Sequence, residues 1–159
     1  MKPLEEIKKV LGEQIEGCRR LLELLQQEKF CLMDLQMEGV ESIVKAKDIL
    51  VLKLRLLEEE RIRLVDRFIT EHPECLLGQE KDFQKINLQK LAELTGEIVL
   101  VDMRSQLISL SQSIREMNEF NKAMIDRTLV FLRKNSHFLE IRTTASGTTE
   151  KGRLLSRAT

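Results

Sequence analysis

The sequence predicts an all-α protein, an antiparallel bundle of long coiled-coil-like helices. It should comprise a helical hairpin, a short helix, a long C-terminal helix and a flexible C-terminal tail. Three observations predict this class. Helix-forming Leu, Glu, Lys, Gln, Arg and Ile dominate the 159 residues, and aromatic residues make up only 4%. Seven Gly and two Pro are too few for a strand-and-turn fold. Apolar residues recur at alternating steps of three and four over long stretches.

The first helix is predicted over residues 4–36. Its stripe has ten positions, of which eight are apolar and two are Gln14 and Glu28. A helix of this length needs partners along its whole extent to be stable in water. A break is predicted at residues 37–39, because Gly39 can adopt the left-handed conformation that ends a helix.

The second helix is predicted over residues 40–70. Seven of its nine stripe positions are apolar, and the exceptions are Lys47 and Arg61. The helix should end at His72, because the residue before a proline is disfavoured in the helical conformation and Pro73 follows.

Folding these two helices back on each other places polar positions opposite polar positions. Glu28 then falls opposite Lys47, and Gln14 falls opposite Arg61. Such layers cost stability but can set the register of a helical seam. The alternative is that these long side chains simply extend into solvent. The apolar positions pair as Leu35–Val40, Leu32–Ile43, Leu25–Leu50, Leu21–Leu54, Cys18–Leu57, Leu11–Leu64 and Ile7–Phe68.

A connector is predicted over residues 74–81, followed by a short helix that Asp82 could cap. Thr95-Gly96 should break or kink the chain, although a continuous helix is also compatible, since glycine costs only about 1 kcal/mol there. The apolar face of the short helix comprises Phe83, Ile86, Leu91 and Leu94.

The last long helix is predicted over residues 97–140, and residues 141–159 form a polar tail without periodicity. The domains are therefore a helical bundle over 1–140 and a flexible tail over 141–159. In the second half of the long helix, a second apolar line joins the first, so the apolar face widens. It could face two helices of its own bundle, or it could dock a helix of another chain. The candidate partner-binding residues are Ile114, Met117, Asn118, Asn121, Met124, Ile125, Thr128, Leu129 and Leu132.

Charge and cysteine usage limit the classes of partner and the compartment. The 26 basic and 26 acidic residues balance, which argues against binding nucleic acid. Three cysteines without close spacing indicate a reducing compartment. The N-terminus lacks the apolar segment of a signal peptide, and no stretch approaches the roughly 20 apolar residues of a membrane span. We therefore expect a cytoplasmic protein with no membrane insertion.

Catalytic, metal and cofactor motifs are missing from the sequence. Neither His72 nor His137 has the preceding glutamate of a di-metal bundle, and no cysteine pair has zinc spacing. No glycine-rich loop could hold phosphate. Each cysteine is expected to be a small buried apolar residue. The run Glu58–Glu60 is expected to be a solvated helix face. We therefore expect no enzyme activity and no cofactor.

With these segments laid out, the chain resembles the FlgN-like family of flagellar export chaperones. The likeness comprises a leucine-rich helix, a turn and a helix with spaced Lys, Leu and Arg, then two Asn three residues apart in the later helix and a glycine-containing tail. The matching residues are Lys47, Leu50, Leu54, Leu57 and Arg61, then Leu110, Ile114, Met117, Asn118, Asn121, Ile125, Leu129 and Leu132, and finally Gly147.

The resemblance implies a chaperone that binds hook–filament junction (hook-associated) proteins before secretion and delivers them to the flagellar type III export apparatus. An amphipathic terminal helix of the substrate would lie on the widened apolar face. Asn118 and Asn121 would set its register, or they would instead form a polar layer inside the bundle. The chaperone would be a monomer or a small homo-oligomer. The alternative function is a coiled-coil stalk or scaffold subunit that self-associates.

Overall fold

The structure is a computed structural model that describes the backbone of residues 2–73 and 88–155 and the side chains of 3–73 and 88–137. The described residues form helices and connections without a strand, so the all-α class is confirmed. The chain divides into two compact units, of which the first ends at Asn121 and the second begins at Lys122. The helices are α1 (Lys2–Met33), α2 (Met37–Glu71), α3 (Leu88–Thr95) and α4 (Ile98–Leu155).

Helices α1 and α2 form the antiparallel hairpin that the two stripes predict. The Lys47 ammonium forms an ion pair with the Glu28 carboxylate near the turn. At the far end of the hairpin, the Arg67 guanidinium lies 3.8 Å from the Glu6 carboxylate. The predicted stripes are the buried faces over most of this length, because coiled-coil spacing keeps one face of each helix toward its partner. The buried stripe residues are Leu4, Ile7, Leu11, Leu21, Leu25 and Leu32 in α1 and Val40, Ile43, Leu64 and Phe68 in α2.

The turn of the hairpin lies earlier than predicted. Leu35, not Gly39, adopts the left-handed conformation, with φ of 54°. The amide of Gln36 donates to the carbonyl of Cys31, and that of Leu35 donates to Leu32, which is the Schellman pattern that ends a helix. The predicted Leu35–Val40 contact is wrong, since Leu35 is exposed.

Gly39 instead lies inside α2, where it serves a close approach of the two helices. A Cβ atom at this position would come within 2.9 Å of the Cys31 sulfur. The glycine that suggested a break is therefore used for packing, because a glycine can allow close contact as well as a left-handed turn.

The first part of α4 and the residue before it run in the same direction as α1 and are joined to it by side-chain contacts. Lys8 pairs with Glu97 at 3.0 Å, and Arg19 donates a hydrogen bond to Gln106 at 3.1 Å. Asn121 then donates to the backbone carbonyl of Leu25. Since α2 also packs on α1, α1 is the central helix of the first unit.

The main apolar core lies where the N-terminal part of α1 meets the end of α2, with α3 and the start of α4 closing it. Fully burying a Leu, Ile or Phe side chain contributes about 1.5–3 kcal/mol, so this cluster holds the four helices together. Its members are Leu4, Ile7, Leu11, Leu64, Val65, Phe68, Ile69, Leu88, Leu91, Ala92 and Leu100.

The chain breaks between α3 and α4, which resolves the choice left open at Thr95-Gly96. Gly96 has φ of 71°, a conformation that favours glycine, and its amide donates to the carbonyl of Ala92. Leu91 is buried and Leu94 is half-buried, as expected for the apolar face of α3. The predicted connector 74–81, Asp82, Phe83 and Ile86 lie outside the described residues.

Helix α4 continues to Leu155 rather than ending near Glu140. Residues 141–155 lack apolar periodicity, but they contain no proline, and their two glycines each cost only about 1 kcal/mol in a helix. Weak periodicity therefore did not mark a helix end. The division into a bundle and a tail at residue 140 stays a prediction. In the described part of the chain, none of the helices is both long and apolar enough to cross a bilayer.

Candidate functional site

A polar layer crosses the first unit where α1, α2 and α4 meet. The Lys47 ammonium donates to both carboxylate oxygens of Glu28, at 2.7 and 2.8 Å. The Asn121 side-chain amide donates to the same carboxylate at 2.8 Å and to the carbonyl of Leu25 at 2.8 Å. Glu28 is only 2% exposed and Asn121 only 1%. One buried carboxylate therefore joins three helices.

The position of Asn121 settles one of its two interpretations. Its amide group is used inside the unit and is inaccessible, so Asn121 belongs to the internal polar layer and not to a surface that meets a partner. Its assignment as a partner contact is corrected for this reason. Near it, the Lys29 ammonium lies 4.9 Å from the centre of the Phe120 ring, which adds a cation–π contact between α1 and α4.

A second polar layer lies about three turns further along α2, from Lys47 to Glu58, and it is built differently from the prediction. Gln14 does not meet Arg61 directly. Both side chains donate to Glu58, at 2.9 Å from Gln14 and 2.8 Å from Arg61. Glu58 is therefore not simply part of a solvated run, since it links α1 to α2.

The electrostatics of this layer follow from the hydrogen bonds. The bond from Arg61 lowers the pKa of the Glu58 carboxyl, with a smaller contribution from Gln14. In return, Glu58 raises the pKa of the Arg61 guanidinium. Both groups are therefore charged near neutral pH. That either layer sets the register of the hairpin stays a prediction.

The second unit carries an apolar face on α4. Met124, Ile125 and Thr128 are half-buried, whereas Leu129 and Leu132 are 45% and 51% exposed. No side chain described between residues 122 and 137 is buried. An amphipathic helix with exposed large apolar residues is typical of a surface that meets another molecule.

Besides Asn121, three predicted partner residues lie in the first unit. Ile114 and Met117 are half-buried, and Asn118 is exposed. Although Asn118 and Asn121 share a residue type and are three positions apart, the structure separates them, because Asn121 is buried and hydrogen-bonded. A role for Ile114, Met117 and Asn118 in binding a partner stays a prediction.

The histidines and the Cys18 thiol, considered above as candidates for chemistry, are not arranged as a catalytic or metal site in the described residues. The rings of His72 and Phe68 are 4.8 Å apart, and His137 is exposed. Burial raises the pKa of the Cys18 thiol, which disfavours the reactive thiolate. The described residues contain no group of three or more His, Cys, Asp or Glu placed to hold a metal ion.

The sequence analysis did not identify two side chains that belong to these features, Phe131 of the apolar face and Glu58 of the second polar layer. Phe131 is 62% exposed and lies one heptad after Met124, so its place in the stripe could have added it to the apolar face. Glu58 lies three residues before Arg61, a spacing at which opposite charges meet on a helix. That spacing was the available signal for Glu58.

Comparison with protein families identifies the chain. The family model described as FlgN protein matches residues 1–151. No curated protein and no solved structure gives a significant match. The family model spans both compact units and nearly the whole sequence, and the hairpin and long last helix have the order of elements that the resemblance implied. The chain therefore belongs to the FlgN family of flagellar export chaperones for hook-associated proteins.

Proposed function

We propose that this protein is a cytoplasmic chaperone that binds amphipathic terminal helices of flagellar hook-associated proteins. By covering these helices it prevents premature assembly, and it delivers the substrates to the export apparatus. The observation that carries the proposal is the exposed apolar face on the second half of α4. Membership of the FlgN family supports a flagellar export chaperone role in general.

The face is suited to binding a helix because its residues recur at coiled-coil spacing. One column comprises Met124, Thr128 and Phe131, and the adjacent column comprises Ile125, Leu129 and Leu132. Two such columns form a strip into which the apolar face of another helix can pack. Fully burying each large apolar side chain contributes about 1.5–3 kcal/mol, and the thioether of Met124 can adapt to different substrates.

The substrate gains from the same contact. A terminal amphipathic helix that waits for assembly exposes an apolar face, and exposed apolar faces promote aggregation. Covering it in the chaperone would keep the substrate soluble until export. Since binding would be non-covalent, the export apparatus could release the substrate without chemistry.

The test is the double substitution Leu129→Glu/Leu132→Glu in the full chain. Purified hook–filament junction proteins from the same organism, intact and as terminal segments, serve as ligands in calorimetry. We expect the affinity to fall at least about a hundredfold, because two carboxylates would be buried against an apolar helix. Circular dichroism should show unchanged helicity and melting, since both side chains are exposed.

The matched control is Ile49→Glu/Leu52→Glu on α2. These side chains are also apolar and exposed, at 73% and 57%, but they lie outside the proposed face. The control should bind as the unchanged protein does. Equal affinity of the Leu129/Leu132 variant would contradict the proposal, and so would loss of helicity in that variant, because the face would then be part of an internal core.

The exposed residues of α2 are also the observation that favours the second candidate, a self-associating scaffold subunit. Ile49, Leu52 and Leu56 recur at coiled-coil spacing and are all more than half exposed. Light scattering separates the two functions. A chaperone should be a monomer or small oligomer that forms a defined complex with its substrate, whereas a scaffold subunit should grow into longer assemblies as its concentration rises.

A further inference from the structure

An open groove runs along the first unit. Its cavity measures about 530 Å³. Gln14 and Cys18 of α1 form the floor, α2 forms one wall with Leu54, and α4 forms the other wall with Leu107 and Ile108. The groove therefore follows the helices and has apolar side chains on both walls, which suits the apolar face of an additional helix.

The charges that line this groove are not balanced. Glu58 and Arg61 neutralise each other through their hydrogen bonds. Arg104 and Arg115 also line the groove, and neither makes an ion pair or hydrogen bond with a residue that the structure describes. The lining thus has two guanidinium groups without a carboxylate, which favours an acidic occupant.

The spacing of these groups indicates what kind of occupant would fit. Arg104, Ile108, Ser111 and Arg115 follow each other at steps of four, three and four along α4. This is the spacing of a coiled-coil seam, into which the side chains of another helix pack. Eleven residues of helix span about 16 Å, so the two arginines would meet carboxylates three helical turns apart.

We propose that this groove binds an acidic amphipathic helix of a partner protein, with Arg104 and Arg115 pairing its carboxylates and Leu54, Leu107 and Ile108 packing its apolar face. None of the residues that line the groove belongs to the second unit, so each unit has its own candidate binding surface. The groove adds a binding surface to the proposed chaperone but does not depend on that function.

The test uses a synthetic helical peptide of about four turns with a leucine stripe and two glutamates eleven positions apart. A matched peptide carries lysines instead of the glutamates. We expect the acidic peptide to bind the full chain and the basic peptide to bind at least about tenfold more weakly, because two ion pairs with the arginines would be replaced by repulsion between like charges. Arg104→Glu/Arg115→Glu should reverse this preference.

Two control variants separate the groove from other surfaces. Lys53→Glu/Arg55→Glu makes the same change of charge at exposed positions of α2 outside the groove and should leave the preference unchanged. Leu129→Glu/Leu132→Glu should also bind the acidic peptide normally, whatever it does to hook-associated substrates. Melting curves confirm that each variant is folded.

Protection of a thiol locates the bound peptide. In a chain whose three cysteines are replaced by serine, Ser111→Cys places a thiol in the groove, and Ser109→Cys places one on the opposite side of α4. At a peptide concentration ten times Kd, alkylation at position 111 should slow about tenfold and alkylation at position 109 should not. Equal binding of the two peptides, binding unaffected by the arginine reversals, or protection at position 109 alone would each overturn the proposal.

Discussion

The two halves of α4 both carry large apolar residues but have different surroundings. In the half before residue 121, Leu100 is fully buried, Met103 and Leu107 pack against the core, and Asn121 is fixed in a polar layer. From Lys122 to residue 137, no described side chain is buried, although large apolar residues are common there too. The difference shows that apolar content alone does not make a core. The second half carries apolar surface that the described residues leave exposed.

Asn121, at the boundary between the two halves, is held by the Glu28 carboxylate. Of the substitutions considered, Glu28→Lys should therefore reduce the free energy of unfolding most. This change places two ammonium groups together in a buried layer and leaves Asn121 without its carboxylate. We expect unfolding in urea to show a loss of about 4 kcal/mol. The variant should therefore have a markedly lower midpoint of unfolding.

Adding Lys47→Glu should recover most of that loss, since the pair is restored with its charges exchanged. Recovery should be incomplete, because the carboxylate that accepts from Asn121 would now project from α2. If the two single effects add without coupling in this double-mutant cycle, the layer does not act as a pair and its register-setting role fails.

The two halves can be compared directly with one type of substitution. Leu100→Ala removes a fully buried side chain and should cost about 3 kcal/mol in the free energy of unfolding. Leu129→Ala removes an exposed side chain and should cost less than about 0.5 kcal/mol. Urea unfolding of both variants under the same conditions measures the difference. Equal costs would mean that the second half is covered in the free protein.

The two asparagines near the boundary give a finer comparison. Asn121→Ala removes two buried hydrogen bonds and should cost about 2 kcal/mol, whereas Asn118→Ala changes an exposed residue and should cost less than about 0.5 kcal/mol. Thermal unfolding of the two variants measures both effects. Similar melting temperatures would mean that Asn121 is not part of a buried polar layer, and its other interpretation, as a partner contact, would then stand.

Much of the hairpin could be predicted from sequence because its physical signal is repetitive. Ten stripe positions report on one face, so an error at one position changes little. The predicted opposition of Glu28 and Lys47 belongs to one register among several, and the structure places these two residues in contact. Helix class and pairing direction are therefore available from pattern alone.

The role of a single residue was harder to predict, because the same residue type can serve more than one structural purpose at similar energy. Gly39 suggested a turn, but it allows Cys31 to approach, and Leu35 takes the left-handed conformation instead. The groove could not be predicted at all, since it depends on how α2 and α4 diverge over α1. Arg104 and Arg115 look like ordinary solvated residues until both are seen to line it.

The smallest expected effect concerns pH and the second polar layer. Because the hydrogen bond from Arg61 lowers the pKa of Glu58 in the folded state, this carboxyl stabilises the fold above its unfolded pKa. The stabilisation is lost as the pH falls through the folded-state pKa. Since Glu58 is partly exposed, solvent limits the effect to less than about 1 kcal/mol.

Glu58→Gln should therefore be slightly less stable than the unchanged chain at pH 7, and the two should converge as the pH falls through the folded-state pKa of Glu58. Urea unfolding across this range measures the difference. Glu59→Gln is the matched control, because Glu59 is exposed and makes no ion pair with a described residue. A difference between Glu58→Gln and the unchanged chain that persists below the pH at which the Glu58 carboxyl is protonated in the folded state would show that Glu58 contributes through packing.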